Sequence, residues 1–141
     1  MRIVRWLVLA LNVVWFGLGF QLFALRPRKA IHLLVPREAS EEKSRTALVE
    51  ALPFLGGMNL AFAALSGAVL IATALGKPGA SWVVFFGSGV AHATQFVCNV
   101  PAALRGGRAG GASWDVMRGQ MFFIFVVDAT CAVANVVALA C

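Results

Sequence analysis

The sequence predicts an all-α integral membrane protein whose four transmembrane helices pack as one up-down-up-down bundle. Three observations carry that expectation. The 141 residues are 60% hydrophobic and 13% charged, where a soluble domain carries about 25% charged residues. The charges are segregated, so that Leu7 to Leu25, Leu52 to Leu75, Trp82 to Leu104 and Gly119 to Cys141 together hold a single charged side chain, Asp128. Each stretch is close to the ~20 residues that cross roughly 30 Å of hydrocarbon at about 1.5 Å per residue. The length suits one transmembrane unit rather than two domains.

The first helix is expected over about residues 3–25. Arg2 and Arg5 before an apolar run resemble the start of a signal peptide. The run from Trp6 to Leu25 is longer than such a core, however, and Arg26-Pro27-Arg28-Lys29 follows it without a small-x-small cleavage site, so it reads as a retained helix. Pro27 and its basic neighbours end it. Residues 26–45 read as a polar loop, with the apolar patch Ala30 to Val35 lying at the interface. Ser40 before Glu41 and Glu42 is a helix start: a hydroxyl cap, then acids at the positive end of the dipole.

The second helix is expected to begin near Glu41, outside the hydrocarbon, and to span it over 46–75, kinked by Pro53. Gly56, Gly57, Ala63 and Gly67 offer a small-residue face of the kind that lets helices approach closely in lipid. Gly76-Lys77-Pro78-Gly79 is a tight turn. The third helix covers 81–103, with Pro101 near its end. The glycines of 106–111 read as a hinge rather than a phosphate cradle, because no Lys-Ser/Thr follows them. Ser113 is the expected cap of the fourth helix, 114–140. Trp6, Trp82 and Trp114 stand near helix ends, where indole favours the headgroup layer.

The net charge of +6 comes from cations flanking the apolar spans, which points to lipid and away from nucleic acid. Arg26, Arg28, Lys29, Arg105 and Arg108 are the expected headgroup-binding residues. Nine cations fall in the first and third loops, and three in the termini and second loop. That bias places the first and third loops in the cytoplasm of a cell membrane, with both termini outside. Cys98, Cys131 and Cys141 lie in apolar segments without a CxxC or a Cys/His pair at metal spacing, and read as small buried hydrophobes. No metal and no cofactor is expected. A bundle haem would need a second internal histidine, and His32 sits in the loop.

Polar groups inside hydrocarbon are costly and mark sites. The third helix carries Ser88, His92, Gln95 and Asn99 at spacings that share one face. The fourth carries Gln120, Asp128, Cys131 and Asn135, the first Asn12 and the second Asn59. Counted from the end that bears the first and third loops, Asn12, Asn59, His92 and Asp128 all lie roughly 14–20 Å deep. A single internal cluster of His92, Asp128, Asn12, Asn59, Gln95, Asn99 and Asn135 follows. A lone carboxylate there must be neutralised or paired, and a His92–Asp128 pair on consecutive antiparallel helices is the simplest solution. Such a pair can cross-link helices, orient a ligand, or act as acid and base. The run Phe122, Phe123, Phe125 reads as lipid-facing or core.

Leu25-Arg26-Pro27, then Ile31-His32-Leu33-Leu34, then Glu50-Ala51-Leu52-Pro53-Phe54-Leu55-Gly56-Gly57-Met58-Asn59-Leu60 resemble the plan of small bacterial membrane proteins of the DoxX-like kind. The resemblance spans most of the chain and implies the four-helix membrane architecture; it carries no site residue. Three function classes remain. The leading one is a binding or assembly component for a membrane partner, a second copy or a lipid-like ligand. The others are a membrane enzyme or redox subunit using His92 and Asp128, and an oligomeric proton-linked transporter component.

Overall fold

The computed structural model describes residues 2–34, 42–77, 79, 81–106 and 116–141, with the side chains of 34 and 42–44 left aside. The described chain is all-α: α1 (Arg2–Phe20), a π-helical segment (Gln21–Leu25), α2 (Pro27–Leu34), α3 (Glu42–Ala74), α4 (Ser81–Leu104) and α5 (Gly119–Ala140). Four helices, Arg2–Leu25, Arg45–Ala74, Ser81–Leu104 and Gly119–Ala140, are long and apolar enough to cross a membrane.

Burial is inverted relative to a soluble bundle. Asn12, Asn59, Ser66, Ser88, His92, Asp128 and Asn135 are buried, while Phe54, Leu104, Val133 and Ile71 stand outside. In lipid the apolar exterior is solvated, and the polar groups gain by facing one another.

Local chemistry sets the ends. The first spanning helix stops at Arg26, whose backbone (φ −133°, ψ 48°) is not helical. Pro27 then opens α2 at the position where its fixed φ suits a helix and its missing N–H costs nothing. The expected loop 26–45 is therefore corrected at 27–34, which is helical, while α3 begins at Glu42, next to the Glu41 where the second helix was expected to start. Ala30 and Ile31 of α2 are buried with Leu52, against Leu22, Phe23 and Val49, which is what draws the short segment out of a loop. Ser40 and Glu41 lie outside the described residues.

At the other end of α3, Gly76 (φ 69°) closes the helix. Lys77 N–H donates to Ala72 C=O at 2.9 Å and Gly76 N–H to Thr73 C=O at 3.2 Å, the paired bonds that a left-handed glycine after a helix makes possible. Pro53 and Pro101 both lie inside helices. The fourth span starts at Gly119, not near 114. Val116 and Met117 form a turn, and Arg118 is extended (φ −139°, ψ 152°), so a helix cannot run through from the expected cap, Ser113, which with Trp114 and Arg108 lies outside the described residues.

The helices assemble as two hairpins, α1 along α3 and α4 along α5, which meet through smaller α1–α5 and α3–α4 contacts. Close approach of α1 to α3 depends on glycine. A Cβ on Gly56 would come within 2.5 Å of the Ala24 backbone nitrogen, and one on Gly19 would overlap the Asn59 amide oxygen. The expected small-residue face is thus half correct. Gly56 and Gly67 face the first helix, whereas a Cβ on Gly57 would meet nothing. Toward the termini the bundle is sealed by Val8, Leu9, Phe85 and Ala138. The polar side chains occupy the layer above this plug.

Candidate functional site

Asp128 lies on α5, 1% exposed, with its carboxylate turned into the seam where the two hairpins meet. Its Oδ1 accepts from His92 Nδ1 of α4 at 3.0 Å and from the Trp15 indole N–H of α1 at 3.0 Å. The Gln95 amide, with its nitrogen turned toward the acceptors, donates to Oδ1 and Oδ2 at 3.1 Å each. Three N–H groups from two other helices therefore converge on one carboxylate, the arrangement that burying such a group requires. The four-then-three spacing of Ser88, His92 and Gln95 along α4 puts the last two on the face that meets α5.

His92 is fully buried and stacks on Phe16, with ring centroids 4.6 Å apart and planes 21° from parallel. Phe16 in turn stacks on Phe62 at 5.0 Å. The ring is thereby locked with Nδ1 toward Asp128. Its Nε2 is buried without a hydrogen-bond partner, as are the hydroxyls of Ser66 and Ser88.

The expected single cluster divides in two. Asn12 and Asn135 form a closed reciprocal pair: Asn12 Nδ2 donates to Asn135 Oδ1 at 2.8 Å, and Asn135 Nδ2 donates back at 3.0 Å. Asn135 Nδ2 also donates to the Cys131 carbonyl at 2.9 Å. This pair ties α1 to α5. The amide nitrogens of Asn59 and Asn99 donate to carbonyls of their own helices, Leu55 and Gln95, at 2.8 Å each. Common depth was visible in the residue count; which of the four helices face one another was not.

Above Asp128 lies a half-open cavity of about 500 Å³ between the hairpins. Leu18, Leu22, Phe23, Leu55, Met121 and Ile124 make it apolar, and Asp128, Gln95, Asn59, Asn99 and Gln120 are its polar points. Gln120 is exposed toward this space rather than buried with the polar layer. His92 does not line it and stands behind Asp128.

Trp15 was not among the expected site residues. The available signal was an indole at mid-span, three residues after Asn12, far from the headgroup layer where the other tryptophans were expected. Of the aromatic run, Phe122 and Phe123 are both exposed, Phe123 meeting Trp15 edge-on at 5.8 Å, and Phe125 stacks on Phe96 at 4.6 Å. Cys98 is an exposed free thiol on the cavity wall, and Cys131 is buried.

Arg26, Arg28, Lys29 and Arg105 are exposed near the end of the bundle where the cavity lies. Arg105 Nε donates to the Pro101 carbonyl at 3.1 Å. Among the described residues no group of three or more His, Cys, Asp or Glu is placed to hold a metal ion. Comparison with family models, with curated proteins and with solved structures finds no match to this chain.

Proposed function

We propose that this chain is a cell-membrane binding protein that holds one small lipophilic molecule in the cavity between its two hairpins. The observation that carries the reading is a carboxylate, Asp128, on the wall of an otherwise apolar space of about 500 Å³. That is the size range and character of a site for a drug-sized ligand: mostly hydrophobic, with a few fixed polar points. Asn59 and Asn99 each spend one amide N–H on their own helix, and the polar group nearest the polar layer, Asp128, is an acceptor. The ligand class proposed is an apolar body carrying a hydroxyl or amine donor that meets this carboxyl group. Trp15, His92 and Gln95 position the carboxylate. The DoxX-like resemblance belongs to this proposal for architecture alone.

Native mass spectrometry of the protein released from its own membrane tests the reading. Wild type is expected to carry an amphipathic small molecule. Cys98→Trp and Thr94→Trp, which fill the cavity from α4, are expected to lower its occupancy at least tenfold while helicity by circular dichroism is kept. Equal occupancy in folded, filled variants refutes the assignment.

A second reading is favoured by the 3.0 Å His92–Asp128 contact: a membrane enzyme in which Asp128, backed by His92, moves a proton on the bound molecule. It predicts that the co-purified molecule is chemically converted on incubation with wild type, and is bound but unchanged by Asp128→Asn. Binding without conversion by wild type leaves the binding protein.

A further inference from the structure

A second pocket lies at the membrane-surface end of the bundle, between α2 and the start of α3. It has a volume of about 410 Å³ and is lined by Arg28, Ile31, His32, Arg45, Val49 and Glu50, among others. It is separate from the Asp128 cavity and shares no lining residue with it. Its floor is apolar and anchored, because Ile31 is buried against Leu52 with Val49 packed beside it. Its charged wall carries two cations, Arg28 and Arg45, against one carboxylate, Glu50.

Arg45 Nη2 donates to His32 Nδ1 at 3.0 Å. Arg has only donors, so the ring nitrogen is the acceptor. That bond fixes the guanidinium over the pocket. The other terminal nitrogen, Nη1, is covered by protein and has no acceptor among the described residues. Among the described residues no carboxylate pairs with Arg28 or Arg45, Glu50 included. Two guanidinium groups from different helices thus border one cavity with unfilled donor capacity. Guanidinium forks match the oxygens of phosphate in pairs, and residues flanking a transmembrane helix stand at the level of lipid phosphates.

We propose that this pocket is a built site for a phosphate group, with Arg28 and Arg45 as its ligands and His32 positioning Arg45. Ile31 and Val49 lie beneath it, where the glycerol of a phospholipid would rest. The same chemistry would accept free phosphate, and the two sources are separated as follows.

The full chain is placed in nanodiscs of phosphatidylcholine, with and without phosphatidylglycerol, and released for native mass spectrometry. Wild type is expected to retain phosphatidylglycerol at least tenfold over phosphatidylcholine. Arg45→Gln and Arg28→Gln are expected to fall to the phosphatidylcholine level, and Lys77→Gln, at the opposite end of the bundle, to behave as wild type. In parallel, inorganic phosphate is titrated into delipidated protein in detergent and followed by ³¹P line broadening. Arginine-dependent broadening without lipid retention identifies free phosphate as the occupant, and the site stands. Retention and broadening that are both indifferent to Arg28 and Arg45 overturn the proposal. Arg28 is exposed, so Arg28→Gln carries the test should Arg45→Gln fail to fold.

Discussion

Asp128→Ala removes the α5 acceptor on which donors from α1 and α4 converge. Three donor groups lose their partner: His92 Nδ1, the Trp15 indole N–H and the Gln95 amide. Interhelical hydrogen bonds in membrane proteins average about 0.6 kcal/mol and reach about 1.7 kcal/mol, which puts the total loss between about 2 and 5 kcal/mol. Two effects act on that range in opposite directions. Taking away a buried carboxyl group relieves its own desolvation cost, and leaving the His92 ring buried without its partner adds to the loss. Water cannot repair His92, because the ring is fully buried and stacked on Phe16.

Asp128→Asn is the informative control. It keeps the shape and one acceptor oxygen for His92 and Trp15, and the Gln95 amide can turn its oxygen toward the new amide nitrogen. Its cost should be about 1 kcal/mol, the typical net worth of one hydrogen bond. The assay is reversible unfolding by dodecyl sulfate titration in mixed micelles, followed by circular dichroism. Asp128→Ala within about 0.5 kcal/mol of wild type, the scatter of surface substitutions, would refute the view that this carboxylate organises the bundle. Asp128→Asn as damaging as Asp128→Ala would refute the hydrogen-bond account and leave charge as the cause.

Two further predictions follow from the packing. Gly56→Ala should lower stability by about 1–3 kcal/mol, the range for overpacking, because its Cβ would meet Ala24 backbone rather than a side chain that can rotate away. Gly57→Ala, one residue on and open, should be neutral or slightly stabilising; thermal melts in one detergent compare them, and equal melting temperatures count against the close α1–α3 approach. Asn12→Leu should cost about 1–2 kcal/mol by stranding Asn135, and Asn12→Leu with Asn135→Leu should cost less than the two single changes combined, since replacing both partners of a buried pair is nearly neutral. An additive double mutant would mean that the reciprocal pair does not couple.

The segregation of charge made the four spans legible, since a span of some 20 residues with one carboxylate among them has few other solutions. The elements misjudged were those whose conformation depends on neighbours. Residues 27–34 read as loop because eight residues cannot hold a helix by themselves, and become helical by burying Ala30 and Ile31 on Leu52. The fourth span was expected from Ser113, but extended Arg118 and Gly119 at φ 58° start it later. Gly56 and Gly57 are indistinguishable in sequence, and the facing helix alone decides which one is indispensable.

The candidate site divides the same way. Periodicity along each helix put His92 and Gln95 on one face, and counting residues put Asn12, Asn59, His92 and Asp128 at one depth, because rise and turn are properties of a single helix. Rotation of each helix about its own axis and the choice of neighbour are not. Those are set by packing, which brought Trp15 to Asp128, paired Asn12 with Asn135 instead of adding it to the carboxylate, and turned Asn59 and Asn99 back onto their own carbonyls. Residue order was thus sufficient for a membrane bundle with a polar layer near its midplane. Only the tertiary arrangement decided that this layer supports a carboxylate at the floor of a cavity.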